Sequence, residues 1–388
     1  MGRGEGSRWP FLALSAAHLA GCLHYFPLRE IFSGEPILTS DYVVHFLEAA
    51  RVGEYLREGS FLGYSTVWMA GFPDGFNSMV KNKPFCLAFA VTPPELQPLV
   101  FNLLVLLALF LFPPFIYAAA RAFGHDRRQA AVAMALAMFA FYGSSLFRVF
   151  WRGGSVLFVA ASGLALWVAA LFWRLWGEGE RSRRPIAALG LAALLWVHPA
   201  AAPVVMFGAG AAYGLTLRSR NLRLGELAIV LAVAVGANLP WIWPFLWHGG
   251  MRSSLYYPIY QGGLGALSLD FVRAPLHLGP QGAIETAVLA PLLAGAAAAA
   301  PALRDRRLVP LFAATAVLLA AVTYAGGQLR ASATLQPYRY AIPLAGLLAI
   351  AAAPLVEVAR AGPWPKAATI LGLVLLSLLA DRVRVARH

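Results

Sequence analysis

Residues 186–216, IAALGLAALLWVHPAAAPVVMFGAGAAYGLT, decide the membrane topology that the sequence predicts. A transmembrane helix needs about 20 mostly apolar residues, so this stretch is too long for one ordinary span and short for two. Basic clusters flank it on both sides, and short cytoplasmic loops collect Arg and Lys. Both clusters lie on the cytoplasmic side only if the segment crosses the membrane and returns. Because proline interrupts a helix, His198-Pro199 then marks the tip of a helical hairpin.

The composition of the whole chain agrees with a membrane protein. Of its 388 residues, 60% are hydrophobic and 13% are charged, and the formal net charge is +13. A soluble domain carries about a quarter charged residues, and disorder requires low hydrophobicity. The basic residues form short groups between long apolar runs, unlike the polar basic patches of nucleic-acid-binding proteins. We therefore expect a polytopic membrane protein that lies in the lipid bilayer and binds no nucleic acid.

Apolar stretches with the character of membrane spans recur along the chain. With the two halves of the hairpin they predict eleven membrane segments, which form one all-α transmembrane domain over residues 1–388 with a cytoplasmic N-terminus. The other nine stretches are 9–27, 96–120, 129–147, 155–176, 227–246, 286–303, 308–325, 338–357 and 367–381. Two long loops, 28–95 and 247–285, then lie on the extracytoplasmic face.

The first long loop is the most polar part of the chain and holds eight of its eighteen acidic residues. Residues 40–58 place apolar side chains at helical spacing and charged side chains on the other face, which predicts an amphipathic helix at the membrane surface. Thr39 or Ser40 is expected to cap its start. Asp41 then lies in the first turn, and His45 follows one turn later on the same face.

Two interpretations of Asp41 follow from these residues. A carboxylate in the first turn is favoured by the helix dipole, by a few tenths to about 1 kcal/mol. Alternatively, Asp41 is a general base or a metal ligand at the depth of the lipid headgroups, where a lipid-linked substrate presents its phosphate. On the local sequence alone the structural interpretation is favoured, because a carboxylate without a motif is a weak signal.

The Gly/Pro/aromatic stretch 68–75, WMAGFPDG, predicts a structured loop after the amphipathic helix. Trp68 can stack on a sugar, or it belongs to the belt of aromatic residues at the membrane surface. Asp74 in Pro-Asp-Gly is either a substrate contact or a turn residue.

In their order along the chain, these features resemble the GT-C superfamily of integral-membrane glycosyltransferases. More narrowly, they resemble its bacterial members labelled 6-pyruvoyl-tetrahydropterin-synthase-related. The segments that carry the resemblance are Ser40-Asp41-Tyr42-Val43-Val44-His45, Trp68 with Gly71-Phe72-Pro73, Val197-His198-Pro199 and Leu335-Gln336-Pro337-Tyr338-Arg339. The resemblance implies that a sugar moves from a polyprenyl phosphate to a glycan, lipid or protein acceptor, with inversion at the anomeric carbon. It also implies that Asp41 matches the essential acidic residue of the superfamily.

The chain departs from the superfamily in one respect. Its first loop has no Asp-x-Asp or Glu-x-Asp pair and offers only Asp41 and His45, four residues apart. A divalent metal is the only cofactor that the resemblance suggests, with these two residues as candidate ligands. The departure leaves the metal requirement open.

The implied reaction needs cationic groups near the departing phosphate, and arginine suits phosphate because its planar guanidinium donates two parallel hydrogen bonds. Arg339, which follows Gln336, is the first candidate because it directly precedes a predicted span; a charge at such a boundary often marks a substrate path. Arg148, Arg152 and Arg330 lie at other predicted outer boundaries. All four can instead be interfacial anchors.

Two further candidates contact the substrate in this interpretation. His198 lies at the hairpin tip, where an ionisable group is costly unless it faces a cavity, although it can also satisfy backbone groups freed by the break. Tyr257, in the second long loop, offers an aromatic contact to a sugar or acceptor, or belongs to the headgroup-level belt.

The sequence thus predicts a polyprenyl-phosphate-sugar-dependent glycosyltransferase in a bacterial inner membrane, with its active face outward. Asp41 is the expected general base. One alternative is a non-catalytic membrane partner in the assembly of cell-envelope polysaccharide, which would keep the same fold. A lipid or solute transporter is the other, but the two halves of the chain show no mutual similarity of the kind that transporters often have.

Overall fold

The structure, a computed structural model, is all-helical apart from one short strand pair, and it describes residues 8–60, 62–65, 72–75, 78–216, 224–247, 283–326 and 336–361. The first helices are α1 (Trp9–Tyr25), α2 (Leu28–Ile31), α3 (Asp41–Arg57), α4 (Ser78–Lys81), α5 (Lys83–Val91), α6 (Gln97–Ala122), α7 (Arg127–Gly143), α8 (Ser145–Arg152) and α9 (Val156–Trp176). They are followed by α10 (Arg184–Val197), α11 (Ala202–Thr216), α12 (Leu224–Trp247), α13 (Ala283–Ala299), α14 (Leu308–Ala325), α15 (Ala341–Ala352) and α16 (Leu355–Ala361). Strands β1 (Gly63–Ser65) and β2 (Phe72–Asp74) pair antiparallel in the first long loop.

Five helical segments of the described chain are long and apolar enough to cross a membrane. They are Pro94–Ala122, which includes α6, then α9, α12, α14, and Pro337–Val358, which includes α15. The predicted number of eleven segments is not confirmed. The helices α1, α7, α10, α11 and α13 lie at predicted segments but have 17 residues or fewer. The segment 367–381 lies outside the described residues.

Helix α9 forms the centre of the bundle. It is apolar on all sides, as expected of a fully buried helix. In its most apolar stretch of 18 residues, 94% are buried inside the structure. Helices α6, α10, α11 and α15 pack against it. At Gly163 a Cβ atom would lie 3.0 Å from the backbone oxygen of Phe112, so the absent side chain lets α6 approach closely. In α12, by contrast, only 22% of the most apolar stretch of 18 residues is buried.

The predicted break at His198-Pro199 is present. Helix α10 ends at Val197, a 3₁₀ turn covers Pro199–Ala201, and α11 begins at Ala202. The backbone of His198 is extended because the ring of a following proline disfavours the helical conformation. The break therefore separates two helices that the apolar sequence alone would join.

The predicted amphipathic helix of the first loop is α3, which begins at Asp41. Its Tyr42, Ala49 and Val52 side chains are fully buried, and the helix packs along α5. The predicted capping is wrong. Ser40 occupies the N-cap position with a φ of +51°, and no side-chain hydrogen bond caps the helix. Contacts with a distant part of the chain hold this helix start instead.

Candidate functional site

The start of α3 is fixed by the turn between α8 and α9. The Asp41 backbone N–H donates a hydrogen bond to the Gly153 carbonyl at 3.3 Å, and the buried Tyr42 hydroxyl donates to the Trp151 carbonyl. Gly154 has a φ of +91°, and a Cβ atom there would lie 3.0 Å from the backbone nitrogen of Tyr42 and 3.1 Å from the Asp41 Cβ. Only glycine combines this backbone conformation with so close an approach. The Asp41 side chain itself is exposed.

One turn further along α3, His45 is connected to the segment between α4 and α5. The buried Asn82 amide nitrogen lies 3.0 Å from His45 Nδ1 and donates to Glu48 Oε2 at 2.6 Å. Glu48 Oε1 also pairs with the Lys81 ammonium at 2.9 Å. Because the amide donates to Nδ1, a neutral His45 carries its proton on Nε2. Burial and, to a smaller extent, the positive charges of Lys81 and Arg339 lower the pKa of His45 to about 3, so the ring is neutral near pH 7.

Lys83 is a fully buried cation beside this cluster. Its ammonium donates to the Val80 carbonyl at 2.7 Å and lies 4.0 Å from the centroid of the Trp241 ring on α12. A cation over an indole face is favourable, but neither contact neutralises the charge. Burial accordingly lowers the pKa of Lys83 to about 7.

Arg339 projects from the 3₁₀ turn Pro337–Tyr340 onto two aromatic rings. Its guanidinium carbon lies 5.7 Å from the ring centroid of Phe150 and 5.8 Å from that of Phe158. Its Nε atom is buried and has no hydrogen-bond partner among the described residues. The same holds for Oε1 of Gln336, which begins this turn with a φ of +53°.

His198 contacts the same aromatic residues from the hairpin break. Its ring meets Phe158 edge-to-face at 5.5 Å, and Tyr340 meets Phe158 at 5.9 Å while donating a hydrogen bond to the Ala200 carbonyl. His198 is half-buried as a residue, but its Nδ1 is buried without a partner in the described part of the chain. Burial lowers the pKa of His198, and the charges of Arg339 and Lys83 lower it further.

These contacts bring Asp41 and Arg339 to one corner of the bundle. Gly154 touches the start of α3, while Phe150 and Phe158, four residues before and after it, support Arg339. The positive charge of Arg339 also reaches His45, one helical turn from Asp41. We name this region the α8–α9 corner, formed by Asp41, His45, Lys83, His198 and Arg339.

The other predicted site residues have different positions. Arg148 is half-buried within α8, and Arg152 is exposed at its end, 5.6 Å from the Trp151 ring. Asp74 lies in β2, and only its backbone is described. Trp68, Tyr257 and Arg330 lie outside the described residues.

Four residues near the site were not predicted from the sequence: Glu48, Lys81, Asn82 and Lys83. A signal was present, because the chain contains only three lysines and two of them flank Asn82. In a protein that otherwise uses arginine for its positive charge, this Lys-Asn-Lys sequence is unusual. Its partners on α3 are more than thirty residues away, so the sequence spacing did not reveal the cluster.

The corner has the properties of an anion site with a carboxylate at its edge. Buried polar atoms usually have hydrogen-bond partners, and leaving one unmade costs about 1–3 kcal/mol. A polar ligand could satisfy the partnerless atoms of Arg339, His198 and Gln336. The charges of Lys81, Lys83 and Arg339 favour a negatively charged ligand. Within the described chain, no three His, Cys, Asp or Glu residues are grouped so that they could hold a metal ion.

Comparisons with known proteins give no match to this chain: no family model, no curated protein and no solved structure is similar to it.

Proposed function

We propose that this chain is an integral-membrane glycosyltransferase of the GT-C type, which moves a sugar from a polyprenyl phosphate to an acceptor on the extracytoplasmic face. The proposal rests mainly on one observation. Asp41 and Arg339, a carboxylate and a cation, are held at the same corner of the bundle by Gly154 and by the rings of Phe150 and Phe158. A reaction that removes a proton at one point and releases a phosphate at another needs these two groups.

The reaction is a single displacement at the anomeric carbon. The acceptor hydroxyl gives its proton to the Asp41 carboxylate, and its oxygen forms the new bond to the anomeric carbon. The bond from that carbon to the phosphate oxygen breaks, and the electron pair leaves with the polyprenyl phosphate. Attack opposite the leaving group inverts the anomeric centre. The exposed position of Asp41 gives an acceptor direct access to the base.

Arg339 and Lys83 stabilise the charge that develops on the departing phosphate. Arg339 Nε is buried and partnerless in the described residues, so it can donate to phosphate without breaking an existing bond of that atom. His45 remains neutral and presents its Nε2–H as a further donor to substrate. Five helical segments could span a membrane, which would keep the carrier tail in lipid.

A divalent metal is not required by this mechanism. Asp41 and His45 supply two of the ligands that a metal would need, and the described residues provide no group of three. A carboxylate base and basic side chains already supply proton transfer and charge stabilisation. We therefore assign no step to a metal.

The test of the base is Asp41→Asn, with Glu54→Gln as the matched control. Glu54 is an exposed carboxylate on the same helix. The purified protein is reconstituted in vesicles with radiolabelled hexosyl or pentosyl undecaprenyl phosphate and a bacterial membrane extract as the source of acceptors. Loss of a general base lowers transfer about 10²–10⁴-fold in Asp41→Asn, while Glu54→Gln transfers normally. Unchanged transfer in Asp41→Asn would overturn the mechanism.

The test of the phosphate contact is Arg339→Ala, with Arg29→Ala as the control because Arg29 is an exposed arginine of the first loop, far along the chain from Arg339. Affinity for undecaprenyl phosphate is measured by native mass spectrometry. Loss of a charge-assisted contact worth about 1.4 kcal/mol or more weakens binding at least about tenfold. Equal affinities of the two variants would contradict the role of Arg339. Tight binding without any transfer would instead favour a non-catalytic envelope-assembly partner.

A further inference from the structure

A cavity of about 200 Å³ lies at the opposite end of α9 from the α8–α9 corner. The ends of α6 and α9 and the segments before α7 and α14 surround it. Helix α9 has 21 residues, which places this end about 30 Å from the corner. We name this region the His125 cavity; the residues used below from its lining are His125, Glu178, Leu303, Arg304, Asp305 and Leu308.

Polar cross-links hold the walls of the His125 cavity in place. Arg304 Nη2 lies 3.4 Å from Oδ2 of Asp126, the N-cap residue of α7. Arg307 Nη1 donates to the Gly177 carbonyl at 3.0 Å, and its other nitrogens bind Asp305. These bonds connect the starts of α7 and α14 to the end of α9. The cavity is therefore part of the packed structure.

His125 lines this cavity and carries a buried ring nitrogen that lacks a partner among the described residues. The residue is 5% exposed, and its Nε2 is buried without a hydrogen-bond partner in the described part of the chain. Burial lowers the pKa of His125 to about 4, although contacts with the Ile350 backbone and the Gln129 side chain oppose that shift. The ring is neutral at pH 7, so one nitrogen donates and the other accepts.

The volume and the lining indicate the kind of molecule that fits. A single water needs about 10–15 Å³ of such space, so the cavity has room for a polyatomic ligand. The carboxylates of Glu178 and Asp305 pair with Arg174 and Arg307, and a carboxylate has further lone pairs that accept hydrogen bonds from an ammonium group. Arg304 is a cation suited to phosphate. Leu303 and Leu308 are buried apolar residues that can contact the first carbons of an acyl chain.

We propose that the His125 cavity binds a phosphoethanolamine group, with its ammonium against Glu178 and His125 Nε2 and its phosphate beside Arg304. The group can come from phosphatidylethanolamine in the membrane or from the free compound. A membrane source agrees with the position of the cavity at the ends of three apolar helices, α6, α9 and α14, where lipid headgroups lie. This site is separate from the α8–α9 corner and does not depend on the reaction proposed there.

The test compares Glu178→Gln with Glu180→Gln. Both carboxylates pair with Arg174, but only Glu178 lines the cavity. Native mass spectrometry of the purified full chain measures retained phosphatidylethanolamine and phosphatidylglycerol. The wild type and Glu180→Gln retain phosphatidylethanolamine with affinity about tenfold higher than Glu178→Gln, a ratio that corresponds to about 1.4 kcal/mol. Phosphatidylglycerol, which lacks the ammonium, shows no such difference.

A second variant, His125→Phe, removes the partnerless nitrogen and should show the same loss of affinity for phosphatidylethanolamine. It replaces Glu178→Gln as the test if that variant does not fold. O-phosphoethanolamine added to delipidated protein separates the two sources. Binding of the free compound with an affinity similar to that of the lipid assigns the soluble source, and binding of the lipid alone assigns the membrane. Equal retention of both lipids, or full retention of phosphatidylethanolamine in Glu178→Gln or His125→Phe, would overturn the proposal.

Discussion

The two ends of α9 differ in whether their charged side chains have oppositely charged partners. Near its C-terminal end, five acidic residues each pair with arginine: Asp126 with Arg304, Glu178 with Arg174, Glu180 with Arg174 and Arg183, Glu226 with Arg181 and Arg184, and Asp305 with Arg307. At the α8–α9 corner, Glu48 pairs with Lys81, whereas Lys83 and Arg339 have no acidic partner among the described residues. One end therefore has its charges balanced within the fold, and the other carries a positive excess.

This difference separates charges that are compensated within the fold from charges that are not. Exposed ion pairs contribute about 0–1 kcal/mol each and connect neighbouring helices. A buried cation without an acid destabilises the fold, because burial removes water and no counter-charge replaces it. A protein keeps such a group where a ligand supplies the missing charge. The positive excess at the corner therefore favours an anion as its ligand.

The largest effect is expected where the corner is assembled. Gly154→Ala places a Cβ atom against the start of α3 and strains a backbone with a φ of +91°, so Asp41 is displaced. A misplacement of about 1 Å can lower the rate about 100-fold. Transfer in reconstituted vesicles should fall by roughly that factor, with a loss of stability of about 1–2 kcal/mol.

Gly59→Ala is the matched control for this change. Gly59 also has a positive φ, +78°, but a Cβ atom there would have no neighbour within 4 Å. It should lose similar stability and keep its transfer rate. If both variants lose transfer equally, the corner does not position Asp41.

The next effect distinguishes unpaired from paired cations. Lys83→Met keeps the length of the side chain and removes a buried charge that has no acidic partner in the described chain. Thermal unfolding in detergent should occur at the same or a higher temperature, while affinity for undecaprenyl phosphate falls about tenfold. Arg307→Met breaks the pair with Asp305 and should not combine unchanged or higher stability with weaker binding of undecaprenyl phosphate. A strong destabilisation of Lys83→Met would show that Lys83 is a structural residue.

Stability and affinity for undecaprenyl phosphate should change in opposite directions as the pH rises. Unfolded Lys83 keeps its proton up to its ordinary pKa of 10.5, whereas burial lowers the pKa in the folded protein to about 7. Between these values the unfolded state binds more protons, so stability rises from about pH 7 to pH 10. Affinity for undecaprenyl phosphate should fall several-fold over the lower part of that range, as the ammonium is lost.

Unfolding temperature and affinity can be measured on the same preparations across this pH range. In Lys83→Met, the rise in stability and the fall in affinity that come from Lys83 should both disappear. His45 does not titrate in this range, because its pKa is about 3. If Lys83→Met retains the wild-type profiles, another group titrates.

The smallest effect is expected at the paired end. Arg183→Gln breaks a partly exposed ion pair with Glu180, with the atoms 3.1 Å apart and three residues apart on the chain. The free energy of unfolding should change by less than about 0.5 kcal/mol, and the change should vanish at 1 M salt. A loss above 2 kcal/mol would contradict the view that such pairs contribute little individually.

Much of the helical architecture could be predicted from local patterns. The starts of α3 and α9 and the break at His198 lie within a residue or two of their predicted positions. Apolar runs and helical spacing depend only on near neighbours, so the sequence displays them directly. The predicted cap by Thr39 or Ser40 was wrong: no side chain caps the helix, and Ser40 adopts a φ of +51° where α3 docks on the turn at Gly153.

The residues of the candidate site were harder to predict from the sequence. Asp41, His45, His198 and Arg339 could be selected as ionisable residues next to apolar segments. Lys83 and Asn82 could not, because their significance depends on burial and on contacts with α3 and α12. The strand pair of the first loop was also missed, since each strand has only three residues.

The sequence by itself determined that this is an apolar, all-helical chain with several possible membrane spans, because hydrophobicity and helical periodicity are local properties. Only the tertiary structure decided which charges remain without a counter-charge. That property depends on contacts between distant segments: Asp41 meets Gly153 across more than a hundred residues, and Arg339 meets Phe150 across nearly two hundred. Burial makes each missing partner costly, and burial is set by how the helices pack.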